Sequence, residues 1–74
     1  MTKKRLKQVK EAIERFETQY YIDAKIEASV EVENIELDDD EYHYDATVHY
    51  DMEGRSETYT DCFVTVKEIE ELIK

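Results

Sequence analysis

The chain has 74 residues, with 20 acids against 10 bases, a net charge of -10 and mean hydropathy of -0.80. That length sets a single domain with a modest core. One cysteine, Cys62, rules out an intramolecular disulfide and fits a reducing cytoplasm. No apolar run approaches the roughly 20 residues of a membrane span, and the acid excess is repelled by anionic membranes and by nucleic acid itself.

The basic start, MTKKRLKQVK, is followed by no apolar segment or small-residue cleavage site, so it does not read as a signal peptide. Low hydropathy with high net charge can mark disorder. Six tyrosines, no proline, one glycine and many β-branched residues in regular patterns point instead to a folded domain.

Residues 3–20 read as a helix. Leu6, Val9, Ile13, Phe16 and Tyr20 recur at spacings of three and four, which makes an apolar stripe widened by Ala12. Thr2 fits its N-cap. Lys3, Lys4, Arg5, Lys7 and Lys10 crowd the first turns, where the helix dipole favours acids. Pairs such as Lys7 with Glu11 offset part of that cost. The basic cluster reads as charge balance, or as a second partner contact, ahead of direct nucleic-acid binding.

Ile22, Ala24, Ile26, Ala28, Val30 and Val32 then alternate with polar residues, the pattern of a half-buried strand. The apolar phase slips by one at Asn34 and resumes at Ile35 and Leu37, which predicts a bulge near Glu33-Asn34. Asp38-Asp39-Asp40-Glu41 reads as a loop. Tyr42, Tyr44, Ala46, Val48, Tyr50 and Met52 alternate again, so a second strand faces inward through them. Glu53-Gly54-Arg55-Ser56 supplies a turn in which Gly54 is free to take positive φ.

A third strand spans 57–64. Thr58, Thr60, Cys62 and Val64 are assigned to its inward face, leaving Tyr59 and Phe63 partly exposed beside acids. Thr65 and Glu68 fit a capping box that starts a short helix over 66–73, with Val64 and Ile69 as its hydrophobic staple. The order predicts an α+β domain: helix, three-stranded antiparallel meander, short C-terminal helix (α-β-β-β-α), with both helices on one face of the sheet.

Residues 27–61 hold thirteen carboxylates against Arg55 as the one cation. With these phases the open sheet face carries Glu27, Glu31 and Glu33 from the first strand, Asp45 and Asp51 from the second, and Glu57 and Asp61 from the third. The run Asp38, Asp39, Asp40 and Glu41 extends the array at one end. Residues two apart on a strand are about 6.6 Å apart, near the step between successive phosphates of an extended nucleic-acid strand.

The plain alternative is a solvated face that aids solubility and blocks edge pairing. Acids are poor strand formers, however, and like charges across paired strands destabilise a sheet. The pattern therefore favours a surface for a strongly basic protein partner. Tyr59 and Tyr21, off the apolar phase, are its candidate aromatic anchors.

No catalytic motif stands out, and no cofactor-binding or metal-binding set is assigned. Consecutive acids in one loop do not match the spaced ligands of a calcium loop. His43 and His49, six apart on a straight strand, are about 20 Å from each other and cannot share one ion. Cys62 lies in a strand-like run and reads as a buried, inert thiol among acids.

In element order the chain resembles the double-stranded-RNA-binding domain. That family reads RNA with lysines opening its last helix, where this chain has Lys67-Glu68-Ile69-Glu70-Glu71, and the charge inversion argues against RNA binding. As a whole the chain looks more like the small acidic proteins of phages and mobile elements that mimic DNA, of the anti-CRISPR or anti-restriction type. That resemblance implies a cofactor-free inhibitor, cytoplasmic in a bacterial host. It would occupy the nucleic-acid groove of a basic protein such as a CRISPR-Cas nuclease or restriction enzyme. A structural or dimeric accessory module without inhibitor activity is the alternative, and the oligomeric state, monomer or homodimer, is left open.

Overall fold

A computed structural model gives the fold and describes residues 2–73. The elements run α1 (Lys3–Asp23), β1 (Ala28–Asp38), β2 (Glu41–Tyr50), β3 (Arg55–Thr65) and α2 (Val66–Ile73). The strands form one antiparallel sheet in the order β1-β2-β3. This is the α-β-β-β-α arrangement expected from the sequence, with β2, the most regularly alternating segment, at its centre.

The first helix begins as read, with the Thr2 hydroxyl accepting from the Arg5 backbone N–H at 3.1 Å. It runs one turn further than its stripe suggested. Ile22, assigned to a strand by alternation, is helical and exposed, and the strand starts only at Ala28. Lys25, at φ 60°, turns the chain between the two elements. A run such as Tyr20-Tyr21-Ile22 satisfies either period, and α1 wins because it already carries the propagating hydrogen bonds.

Burial picks out only part of the apolar stripe. Val9, Ala12 and Ile13 are buried, whereas Leu6 is 42 % exposed, Phe16 39 % and Tyr20 69 %. The three buried residues, Val9, Ala12 and Ile13, join Val30, Val32, Tyr42, Tyr44, Ala46, Val48, Val64 and Ile69 in one core. The helices cannot cover the whole inner face of three long strands, so the outer members of each stripe stay wet.

β1 is an edge strand, and α1 blunts that edge with a side chain. The Glu14 carboxylate accepts the Val32 backbone N–H at 2.9 Å. Glu14→Ala should therefore cost about 1 kcal/mol or more in urea unfolding, because it strands a half-buried donor, while Glu14→Gln should retain most of the stability.

Both outer strands carry a bulge at the level of Asp45. The β1–β2 register shifts between Glu33 and Glu36, with Asn34 at φ 56°, as the phase slip predicted. The β2–β3 register shifts between Tyr44 and Ala46, with Asp61 at φ 56°. Asn and Asp tolerate this left-handed conformation better than other non-glycine residues. Asn34 also donates from Nδ2 to the Asp45 carboxylate at 2.8 Å. Asn34→Ala loses both features and should cost about 1–2 kcal/mol; Asn34→Gly keeps the backbone geometry and should cost less in the same unfolding assay.

The second bulge corrects the inward face assigned to β3. Cys62 and Val64 do face inward, opposite Tyr44 and Tyr42. Before the bulge the phase is reversed: Glu57 and Tyr59 lie opposite Val48 and Ala46 on the helix side, and Thr58 lies opposite Thr47 on the open side, their hydroxyls 3.1 Å apart.

The hairpin ends are tight. Asp39 and Asp40 form a two-residue turn, Asp39 with φ 58°, and the Asp38 to Glu41 segment is thus mostly strand rather than loop. Asp51 to Gly54 form the second turn, where Gly54 at φ 64° donates to the Tyr50 carbonyl at 2.9 Å. The Thr65 hydroxyl accepts the Glu68 backbone N–H at 3.2 Å, which supplies one half of the expected capping box, and Ile69 is fully buried.

Candidate functional site: the open face of the sheet

The pleat sends alternate residues of each strand away from the helices. On β1 these are Ser29, Glu31, Glu33, Glu36 and Asp38; on β2 they are His49, Thr47, Asp45, His43 and Glu41, each directly opposite its β1 counterpart in that order. β3 adds Ser56, Thr58, Phe63 and Thr65. The open face therefore presents acids, hydroxyls, two histidines and one aromatic ring, with no lysine or arginine among these residues.

Arg55, the one cation of the segment, lies across the sheet. It pairs with Tyr50 in register, sits over that ring at 4.4 Å from its centre, donates to Glu53 at 2.7 Å, and bonds Glu57. The two carboxylates hold its guanidinium pKa above the usual value, and Tyr59 and Arg55 together hold that of Glu57 below the carboxylate range. The bulge at Asp61 thus sorts the charges of β3, placing its only base on the helix side.

Of the acids singled out from the sequence, Glu31, Glu33, Asp38, Glu41 and Asp45 share the open face. Asp39 and Asp40 form its turn at one end. Glu27 and Asp51 meet at the other end, where the Asp51 N–H donates to the Glu27 carbonyl at 3.1 Å. Asp61 is exposed in the bulge at the β3 edge. Glu57 and Tyr59 belong to the opposite face, because the bulge reverses the phase that placed Glu57 among the acids. Glu36 was missed: once Asn34 is taken as a bulge, its position beyond the slip puts it opposite His43 on the open face.

The histidines stand among these carboxylates. His49 has Nε2 3.5 Å from Glu31 and Nδ1 2.7 Å from the Ser56 hydroxyl. His43 has Nε2 3.5 Å from Glu41 and 4.0 Å from Asp38, and its ring lies 6.2 Å from that of Phe63. Phe63 is 63 % exposed, an apolar ring amid charge. Among the described residues, no group of three or more histidine, cysteine, aspartate or glutamate side chains is arranged to hold a metal ion.

The helix side holds a tyrosine cluster. Tyr21 packs edge-on to Tyr50 at 6.1 Å and is half-buried, so its role is packing rather than the exposed anchoring its phase suggested. Burial, then the Tyr50 hydroxyl, pushes the Tyr21 pKa up to about 12. Burial and a bond to Glu17 raise that of Tyr44 as well. A phenol whose folded pKa exceeds its unfolded value of about 10 releases its proton later when folded. It contributes stability below pH 10 that is lost as pH rises to 12. Unfolding free energy should fall across that window, and Tyr21→Phe should flatten the slope.

Cys62 is free and half-buried rather than fully buried. Burial, followed by the charges of Glu17 and Asp45, raises its thiol pKa, which lowers its thiolate fraction at neutral pH. At the other end of the chain, Arg5 pairs with Glu70 of α2, so part of the basic helix start balances acids within the molecule. No described helix is long and apolar enough to cross a membrane.

Comparison with protein-family models, curated proteins and solved structures finds no match to this chain.

Proposed function

We propose that the chain is a binding protein whose open sheet face occupies the nucleic-acid groove of a basic bacterial protein, as a mimic of DNA. One observation carries this reading: the open face holds Glu31, Glu33, Glu36, Asp38, Glu41 and Asp45 with no lysine or arginine, because Arg55 is turned to the other side. A solvated face needs no such sorting of charge, since interspersed bases would lower the repulsion between paired strands.

In this mechanism Glu31 with Glu33, and beyond the bulge Glu36 with Asp38, each about 6.6 Å apart along β1, stand in for phosphates, with neighbouring strands about 4.8 Å away supplying further rows. Phe63 and the faces of His43 and His49 give the partner flat surfaces to pack on. Long-range attraction speeds encounter and makes it sensitive to salt. A defence nuclease of the CRISPR-Cas or restriction type, met in the bacterial cytoplasm, is the partner class whose groove fits this chemistry.

The test is capture from bacterial lysate on the immobilised chain, with and without excess duplex DNA. A nucleic-acid-binding protein that is retained, displaced by DNA and inhibited in its own cleavage assay supports the reading. Retention that DNA does not affect overturns it.

A further inference from the structure

We propose that the hollow between α1 and β3, on the face opposite the acidic one, is a binding site for an arginine side chain of a basic protein. The site goes beyond the open-face reading and does not depend on it.

The hollow exists because α1 lies over β1 and leaves the far side of the sheet uncovered. Its volume is about 500 Å³, enough for a long side chain with its neighbouring backbone. Tyr20 and Tyr21 of α1 form one wall, and Tyr59 of β3 forms the other. Tyr20 is 69 % exposed and Tyr59 45 %, so both rings present surface to an incoming group. Ala46, Val48 and Cys62 line it from the sheet, the carboxylates of Glu17 and Asp61 border it, and it reaches Phe63 at the β3 edge, with no lysine or arginine in the lining.

Aromatic walls with carboxylates and no resident base complement a planar cation. A guanidinium stacks on tyrosine faces and donates in its plane to carboxylates; an ammonium is a more strongly hydrated point charge that makes no planar stack. The molecule already uses this chemistry beside the hollow, where Arg55 lies over Tyr50 between Glu53 and Glu57. Tyr59 also donates to Glu57 at 2.5 Å, beside that arginine. One oxygen of Glu17 accepts from Tyr44, and among the described residues the other takes no hydrogen bond, so it can accept from an entering donor.

Cys62 supplies the readout. Its alkylation rate should be measured with a blocked tripeptide centred on arginine, and with matching peptides centred on lysine and on citrulline, the neutral isostere. Amide and ring resonances should be followed in parallel. The arginine peptide should slow alkylation saturably, by threefold or more, and shift Tyr20, Tyr59 and Cys62. Lysine should protect less and citrulline hardly at all. Tyr59→Ala should abolish the protection, and Tyr59→Phe, which keeps the ring and loses the bond to Glu57, should retain it.

Reversal of Glu31, Glu33 and Glu36 to lysine tests independence: protection should persist even where open-face binding is lost. Equal protection by citrulline would make the hollow a merely apolar site and overturn the proposal. Equal protection by lysine would overturn the arginine assignment. Shifts confined to the open face would overturn the site itself.

Discussion

Replacing Glu31, Glu33 and Glu36 together by lysine should weaken binding to a basic groove protein by a hundredfold or more and leave the fold intact. All three lie on β1, point away from the helices and are exposed. Each reversal adds two charges, so three move the net charge from -10 to -4. Among the described residues, their one contact with a basic side chain is that of Glu31 with His49 at 3.5 Å, an exposed contact of little energetic weight. Loss of repulsion between neighbouring acids should hold Tm steady or raise it.

A second triple variant separates the face from the bulk charge. Glu11, Glu68 and Glu71 are exposed on the helices, and their reversal gives the same net charge of -4. Binding measured by calorimetry at low salt should survive in this variant with only a modest loss of on-rate. Equal losses in both variants would mean that only total charge matters, and the open-face mechanism would be wrong.

Ile13→Ala should be the most damaging core substitution in α1. Ile13 is fully buried in the same cluster as Val9, Val32 and Ile69. Removing its side chain in a site held by three long strands should cost about 3–4 kcal/mol, including the cavity left behind. For a domain of this size, each kcal/mol lowers Tm by about 4–8 °C, so the expected fall is at least about 12 °C. Phe16→Ala offers the contrast. Phe16 sits on the same sequence stripe but is 39 % exposed, and its loss should cost far less than burial of a phenylalanine implies. Thermal unfolding followed by circular dichroism ranks the two, and a larger fall for Phe16→Ala would contradict the packing described here.

Strand β2 shows why so much of the fold was legible. Its alternation from Tyr42 to Val48 survives unchanged as a strict pattern of burial, because a central strand has a partner on each side and one face must exclude water. Thr2 and Thr65 were readable as caps because capping is local: one hydroxyl meets one nearby N–H. The Asn34 bulge was readable because Val32 and Ile35, three apart, both need the core side. Tyr59 and Cys62 have that same spacing of three and carried the same message. That message is weaker than the one at Asn34, because a tyrosine beside acids is equally at home exposed and leaves the phase of the strand open.

The sequence by itself determined the element order, the meander, the central strand's buried face and the excess of negative charge, since each follows from local periodicity or from counting. Only the tertiary structure decided which carboxylates share a surface. That depends on register, and one left-handed residue, Asp61, sends Glu57 and Arg55 to the helix side while Phe63 stays with the acids. It also decided how far α1 reaches across the sheet, and hence that Tyr20 and Tyr59 border an open hollow. Long-range packing and the limited width of one helix set that distance, and neither leaves a mark in the local pattern.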